Sequence, residues 1–426
     1  MPAKAPPLSA RRENLNGKAD SPSMAEADKQ NTGPLKGLRI LDLTEERGQY
    51  AGKVLADLGA DVILVERPEG SRARSLGPFK DDVQGIETSL YFLNFNNNKR
   101  GITLDLGSQR GKDIFRKLAE HSDIVIEDFP VGGMHSLGLD YPSIRAINPG
   151  IIMASITGFG STGPYAKYKG PDIVSMAMGG LTCVNGPPDA APVTAPCEQA
   201  NHTVSVTAVF AIMAALMLRI KTGKGQFIDL SAQRAVETAT GGVWFYSAMS
   251  NIQRRSGSQF GGVPGRIFPC KDGYVHILTL RPNHWKGMIE VLGSPEALMG
   301  NEWLSTQFRN ANPDIIDAYV TEFTMAHGKM EITEMCQSKG VPCTPVNIPA
   351  DFYQDPHVRQ RGTFAEVEHP VVGRFSVVRP VSVFSRTGCQ VRRTAPLLGQ
   401  HNREVYCHEL GFDEAELTRL ETERTI

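Results

Sequence analysis

Residues 37–66 of the chain read GLRILDLTEERGQYAGKVLADLGADVILVE. Two short apolar runs in this stretch, Leu38–Leu43 and Asp61–Glu66, are bounded by glycine and polar residues, as buried parallel strands are. Between them, apolar side chains recur at helical spacing over residues 50–58, and Gly59 is a typical helix-ending residue. A strand, a helix and a second strand within about thirty residues predict a βαβ unit, which opens a Rossmann-like doubly wound sheet.

The same alternation continues along the chain. Further strands are predicted at Gly101–Leu106, Asp123–Glu127, Ile151–Ile156 and Gln226–Ser231, with helical stretches between them. The most apolar of these stretches is a long helix over about Asn201–Arg219. The pattern predicts an α/β protein with a large parallel sheet.

Composition shifts mark the predicted domain boundaries. Residues 1–35 are rich in Pro, Ala, Lys and Asp, and are predicted to be a disordered extension. Residues 36–250 carry the first part of the large Rossmann-like domain. From residue 251 a Gly- and Pro-rich loop, a hairpin and helices follow, which predict a smaller α+β domain over residues 251–345.

Composition and charge exclude several classes of protein. The 45 Lys and Arg against 46 Asp and Glu leave a net charge of -1, which gives no basic excess for nucleic acid. The longest apolar run, Val204–Leu218, is shorter than the roughly 20 residues of a membrane span. Seven cysteines without a CxxC pair argue against a disulfide framework and favour a reducing cytoplasm.

Several cofactor motifs do not occur. Glu45–Gln49 follows the first strand in place of GxGxxG, which disfavours a nicotinamide dehydrogenase. The chain has no GxxxxGK[ST] and no HExxH, and its ten histidines show no metal-ligand spacing, so no metal is expected. Basic and amide-rich loops after strands, Arg67–Arg74 and Asn94–Arg100, indicate either a phosphate or nucleotide site or an ordinary solvated surface.

Six motifs in order carry a resemblance to a known family. They are Gly37–Leu43, Leu55–Ile63, Asn98-Lys99-Arg100, Ile151–Pro164, Thr222–Gln226 and Ala395–Asn402. From about Leu35 onward, the chain resembles the class III CoA-transferase family, which includes the alpha-methylacyl-CoA racemases.

The resemblance implies a fold and a reaction. Residues 346–426 would return to the large domain, and two protomers would interlock like links of a chain. An aspartate would attack an acyl-CoA thioester, form a mixed anhydride and then carry CoA as an enzyme thioester, until an acceptor carboxylic acid takes it. Coenzyme A and its acyl thioesters would be substrates, and no permanently bound cofactor or metal is implied.

The predicted position of the family's nucleophile holds a different residue. Counting back from Ala214-Ala215-Leu216 reaches Asn201, whose neutral amide is a poor nucleophile. Glu198 is the nearest carboxylate and is an alternative nucleophile, or else an ordinary polar residue at the helix start. The racemase branch has a histidine where Pro171 stands here, so racemase activity is not expected.

Three hypotheses follow for the reaction. The chain is a CoA-transferase subunit that lacks its own nucleophile, as in two-subunit members such as the benzylsuccinate enzyme, where a paralogue supplies the aspartate. Alternatively, it is a homodimeric acyl-CoA lyase, hydrolase or isomerase that uses other residues, or a non-catalytic CoA-binding protein. The residues that the resemblance assigns to CoA binding are Arg47, Arg67, Asn98, Lys99, Arg100, Gly261, Gly262 and Gly265.

Overall fold

The structure, a computed structural model, describes residues 31–187, 189–241, 248–249 and 263–426. Its largest element is a six-stranded parallel sheet in the order β3-β2-β1-β4-β5-β6. The strands are β1 (Arg39–Leu43), β2 (Asp61–Glu66), β3 (Arg100–Thr103), β4 (Ile124–Glu127), β5 (Ile152–Thr157) and β6 (Phe227–Ser231). This is the strand order of a Rossmann-like doubly wound sheet, and the predicted α/β fold class is confirmed.

The helices of the described residues connect and flank the strands. They are α1 (Gln49–Asp57), α2 (Leu90–Phe95), α3 (Gln109–Glu120), α4 (Gly133–Leu137), α5 (Tyr141–Ile147), α6 (Asp172–Met178), α7 (Leu181–Val184), α8 (Gln199–Thr222), α9 (Ala232–Ala239), α10 (Pro282–Val291), α11 (Thr306–Ala311), α12 (Pro313–Ala326), α13 (Lys329–Ser338), α14 (Pro349–Gln354), α15 (Pro356–Gln360) and α16 (Glu414–Thr422). A π-helical segment spans Glu404–Glu409.

Two hydrophobic cores cover the two faces of the large sheet. Successive side chains of a strand point to opposite faces, so Ile40 belongs to one core and Leu41 to the other. The core that contains Ile40 also holds apolar residues of α1 and α8. The other core holds residues of α3 and α5 together with the C-terminal residues Tyr406 and Leu417. The end of the chain therefore packs on the large sheet.

A second, antiparallel sheet follows in the chain. Its strands are β7 (Gly265–Cys270), β8 (Gly273–Leu278) and β9 (Cys343–Pro345), in that order. Helices α10, α12 and α13 contribute to its separate core, which contains Trp285, Ile316 and Ile332. A two-stranded sheet, β10 (Phe364–His369) and β11 (Gly373–Val378), comes next. The predicted domain boundaries themselves stay predictions.

The start of the described chain is held against α1. The Asn31 side-chain amide donates to the Gly59 carbonyl at 2.9 Å, and the Leu35 N–H donates to the Leu58 carbonyl at 2.9 Å. Residues 1–30 lie outside the described residues, so the predicted disorder of the extension stays a prediction.

Helix α8 has one buried and one exposed apolar face. Ala208, Ile212 and Ala215 are buried in the core of the large sheet. Phe210 and Ile220 are 77% and 81% exposed. By length and composition alone, α8 is apolar enough to cross a membrane, but the same test is passed by core helices of soluble proteins. Contact of this exposed apolar face with water is energetically unfavourable.

Candidate active site

The order of the large sheet reverses between β1 and β4, and ligands of open α/β sheets bind at the carboxyl ends of strands near such a point. In this protein, an acidic side chain already accepts hydrogen bonds from the backbone N–H groups at that point. The Asp128 carboxylate, directly after β4, accepts the backbone N–H groups of Glu45, Glu46 and Arg47 at 3.0 to 3.1 Å. Burial raises the pKa of the Asp128 carboxyl, and these N–H groups oppose that rise. The amides that could hold a dinucleotide pyrophosphate are therefore already bonded.

Asn201 lies in the first turn of α8, close to the same edge of the sheet. Its side chain is buried, with 7% of the residue exposed, and its Oδ1 atom has no hydrogen-bond partner among the described residues. Its backbone N–H donates to Oδ1 of Asp172, the first residue of α6, at 2.8 Å. The structure thus brings one carboxylate, Asp172, to the backbone of Asn201, the residue at the predicted position of the nucleophile.

Glu198 immediately precedes α8 and adopts an unusual backbone conformation. Its φ and ψ are 49° and 50°, and Cys197 before it has a φ of 64°. Residues with a side chain rarely occupy this left-handed region, which costs about 1–2 kcal/mol, and such residues cluster at functional sites. The Glu198 carboxylate accepts a hydrogen bond from the Tyr91 hydroxyl at 3.1 Å.

Tyr91 joins the start of α8 to the loop after β1. Its hydroxyl lies 3.2 Å from the Glu46 carbonyl oxygen as well as 3.1 Å from Glu198 Oε2. Burial, and then the negative charge of Glu198, raise the pKa of the Tyr91 hydroxyl. The hydroxyl therefore stays protonated and remains a hydrogen-bond donor at physiological pH.

A narrow cleft beside Asn201, too small to admit a water molecule in this structure, is lined by aromatic rings. The rings of Tyr50, Tyr91, Phe95 and His202 form successive contacts with centroids 4.9 to 5.9 Å apart. Burial lowers the pKa of His202, although Glu198 and Asp172 oppose this effect. The His202 imidazole is therefore neutral at neutral pH and presents a mostly apolar surface to the cleft.

Arg47 connects three elements that border the cleft. Its guanidinium donates to the Gly170 carbonyl at 2.8 Å and to the Ile156 carbonyl at 3.4 Å. The Ser205 hydroxyl of α8 donates to the Arg47 carbonyl at 2.8 Å. Arg47 therefore fixes the loop after β1 against β5 and α8, and its assigned contact with CoA stays a prediction.

Arg67 lies at the carboxyl end of β2 and borders a separate cavity of ≈ 490 Å³. The cavity is formed by residues 67–75 and 84–86, which include the largely exposed Arg72. Ser71 in this wall is buried, and its hydroxyl has no partner among the described residues. Two exposed guanidinium groups can bind an anion such as a phosphate.

The Asn98-Lys99-Arg100 motif is buried and held by other parts of the chain. Lys99 Nζ lies 2.8 Å from Asp42 Oδ2. The Arg100 guanidinium pairs with Asp61 at 2.6 Å and with two glutamates of the C-terminal segment. The Asn98 side chain bonds to Asp57 and to residues 390–393. These contacts give the motif a structural role, and its assigned contact with CoA stays a prediction.

The three glycines assigned to CoA binding are only partly described. Gly261 and Gly262 lie outside the described residues. Gly265 is the first residue of β7, is buried and pairs with Leu278. Within the described ranges, no group of three or more His, Cys, Asp or Glu residues is placed to hold a metal ion.

Asp128, Asp172 and Tyr91 are site residues that sequence reasoning missed. Each makes its contact with a residue 29 to 107 positions away in the chain. The only signal for two of them was position, because Asp128 directly follows a predicted strand and Asp172 follows Pro171 in a segment already singled out.

Comparison with known proteins identifies the class. The model of the CoA-transferase family III matches residues 35–402. The chain is 33% identical over 417 residues to formyl-CoA:oxalate CoA-transferase of Streptomyces avermitilis, covering 93% of this chain and 100% of the relative. It is 34% identical over 405 residues to succinyl-CoA:glutarate CoA-transferase of Mus musculus, covering 93% and 91%.

A solved structure agrees with the sequence relatives. A CaiB/BaiF family protein from Brucella suis aligns with a TM-score of 0.81 at 32% identity, and covers 89% of this chain and all of that one. The chain belongs to the CoA-transferase family III. Membership confirms the predicted resemblance and supports an enzyme of this class, which acts on CoA thioesters.

Proposed function

We propose that this chain is one subunit of a CoA-transferase whose covalent aspartate is supplied by a paralogous chain. The assembly moves CoA from an acyl-CoA thioester to a carboxylic acid. The observation that carries the proposal is Asn201, a buried amide at the start of α8, where the resemblance predicts the aspartate. Its Oδ1 has no hydrogen-bond partner in the part of the chain that the structure describes.

The reaction requires a carboxylate that forms and breaks bonds to carbon. A carboxylate attacks the thioester carbonyl and expels the CoA thiolate, which leaves a mixed anhydride. The thiolate then attacks the enzyme's acyl carbon, releases the first acid and leaves an enzyme–CoA thioester. The acceptor carboxylate reverses these steps and leaves with CoA. The Asn201 amide has no negative charge to begin this sequence, so the attacking group comes from the other chain.

The cavity beside Arg67 supports the binding of CoA by this chain. CoA carries several phosphate groups, and planar guanidinium groups bind phosphate oxygens through paired hydrogen bonds. Arg67 and Arg72 border the cavity from the carboxyl edge of the sheet. The loop after β1 links that cavity to the cleft at Asn201, because Glu45 contacts Arg67 and Arg47 contacts α8.

The exposed face of α8 supports an assembly of two chains. Its large apolar side chains are Val206, Phe210, Met217, Leu218 and Ile220, each about half exposed or more. A patch of this kind on one helix is typical of an interaction site. We propose that a second chain covers it, in the interlocked arrangement that the family resemblance implies. All seven cysteines are free thiols, which fits a cytoplasmic enzyme.

A second candidate is a self-sufficient homodimer that uses Glu198. One observation favours it: the Glu198 carboxylate accepts a hydrogen bond from the hydroxyl of Tyr91, a residue that lines the cleft beside Asn201. Such a chain would carry out transferase, hydrolase, lyase or isomerase chemistry on acyl-CoA by itself.

Native mass spectrometry of the protein isolated from its own source cells tests the proposal. We expect a complex of this chain with a paralogue that has an aspartate at the position matching Asn201. The separated chains should lack CoA-transfer activity, and mixing them should restore it. A homodimer that is fully active alone would overturn the two-chain proposal in favour of the second candidate.

A further inference from the structure

We propose that Glu45 and Glu46 compete with the phosphate groups of CoA for Arg67 and Arg72, and so set the enzyme's affinity and selectivity for phosphate-bearing thioesters. This inference rests on the proposed function of the cavity beside Arg67. It concerns two residues that have no place in the covalent chemistry and that are not assigned to CoA binding above.

Both arginines already have an anionic partner from the loop after β1. Arg67 Nη2 lies 2.5 Å from Glu45 Oε1, and Arg72 Nη2 lies 3.8 Å from Glu46 Oε1. The two arginine side chains are 55% and 63% exposed. Exposed ion pairs of this kind are weak, so a ligand phosphate that offers more charge and more oxygens can replace either carboxylate.

The geometry favours replacement of the two carboxylates by a phosphate. The same two guanidinium groups border the ≈ 490 Å³ cavity. If the Glu45–Arg67 pair stayed intact, a phosphate bound to Arg67 would lie close to the Glu45 carboxylate. The two groups are both negatively charged and would repel each other. This repulsion favours release of the glutamates from the arginines when a phosphate binds.

The backbone of the loop does not need to move for this exchange. Asp128 holds the N–H groups of Glu45, Glu46 and Arg47, and Tyr91 contacts the Glu46 carbonyl. The two glutamate side chains can rotate away from the arginines on this fixed backbone. Only an anionic ligand has to displace them, so the pair of glutamates lowers the affinity for thioesters that carry the nucleotide phosphates and leaves the affinity for thioesters without them unchanged.

Isothermal titration of the full chain with CoA and with pantetheine tests the inference. For the double variant Glu45→Gln and Glu46→Gln, we expect CoA to bind roughly three- to tenfold more tightly, since two weak competing ion pairs are lost. Pantetheine has the same thiol arm without the nucleotide, and its affinity should not change. The matched control is Glu69→Gln, which removes a charge from the same cavity wall without breaking either ion pair.

Three results would overturn the inference. The first is an unchanged or weaker CoA affinity in the double variant. The second is an equal tightening in the Glu69→Gln control, which would indicate a general charge effect. The third is an equal gain for pantetheine. A wild-type chain that binds no CoA at all would contradict the proposed function itself, and that outcome is distinct from CoA binding that does not respond to the two substitutions.

Discussion

Glu127, the last residue of β4, is a buried carboxyl group whose protonation should govern stability near neutral pH. It is 5% exposed, and burial raises the pKa of its carboxyl to about 7. The unfolded chain loses this proton near the ordinary pKa of 4.5. Between these two pH values the native state binds a proton that the unfolded state has released. The contribution of protonated Glu127 to the free energy of unfolding is therefore fully present below about pH 4.5, and it is lost as the pH rises toward 7.

Replacing Glu127 with Gln should remove this loss. At pH 8 we expect the Glu127→Gln variant to be more stable than the wild type by about 1–3 kcal/mol, and near pH 4.5 the two should be equal. Denaturant unfolding at both pH values measures the difference, with the exposed Glu120→Gln as the control for loss of one charge. The stability difference between the variant and the wild type would be the same at pH 8 and at pH 4.5 if ionisation of Glu127 did not destabilise the fold, and that result would contradict the prediction.

Individual candidate site residues could be assigned from the sequence only where their distance along the chain from a recognisable motif was known. Asn201 was assigned by counting within a motif, because a helix keeps a constant spacing between its first turn and its apolar residues, and its place in the site stays a prediction. Glu198 was found by its proximity in sequence. Asp128 could not be assigned to its three backbone donors from sequence, since it meets them from another strand more than 80 positions away.

At the scale of elements, the parallel strands were the best predicted feature. β2 has the predicted bounds Asp61–Glu66, and β1 differs from the predicted strand by one residue. Such buried runs carry their own signal because both faces of the strand are apolar. The short helix α2 and strand β9 were not predicted, because their stability depends on tertiary contacts more than on local periodicity.

The C-terminal segment is attached to the edge strand β3 through His401. The Gly101 N–H donates to His401 Nδ1 at 3.0 Å, and the His401 N–H donates to the Gly101 carbonyl at 2.9 Å. Burial, followed by the positive charges of Arg393 and Arg100, lowers the pKa of His401 to about 3. The imidazole is therefore a neutral acceptor in the native state.

This attachment should weaken in acid. The unfolded chain takes up the proton near pH 6.5, so the stabilisation is present above that pH and is lost as the pH falls toward 3. Between pH 7 and pH 5, the wild type should lose about 1–2 kcal/mol more than a His401→Asn variant, whose Oδ1 can accept the same bond without titrating. Chemical unfolding across this range measures the difference. Parallel curves for the two proteins would rule out His401 as the source.

At the scale of the whole molecule, the exposed apolar face of α8 predicts that the chain does not function alone. Charging that face should prevent assembly. In a Phe210→Glu, Ile220→Lys double variant, we expect the mass measured by light scattering to fall to that of one chain, 46.5 kDa. The charge-reversing Lys224→Glu, at an exposed site just beyond the helix, is the control and should assemble normally. An unchanged mass in the double variant would place the interface elsewhere.

The overall architecture was predicted from the sequence, whereas the expected two-chain assembly stays a prediction. A doubly wound sheet follows from the alternation of strands and helices, and the order of its strands follows from short right-handed connections. How two chains combine depends on surfaces that carry no periodic signal. The face of α8 shows this limit, because the sequence marks the helix as apolar but does not say which side of it is exposed in the single chain.

We propose that Asn201 leaves this chain without its own covalent carboxylate, and intact-protein mass spectrometry can decide whether it does. The purified chain is incubated with an acyl-CoA, and its mass is read before and after treatment with hydroxylamine. We predict no adduct on the wild type. The Asn201→Asp variant should gain the mass of CoA less water, in a form that hydroxylamine removes. A hydroxylamine-sensitive CoA adduct on the wild type, abolished by Glu198→Gln, would contradict the claim and make Glu198 the nucleophile.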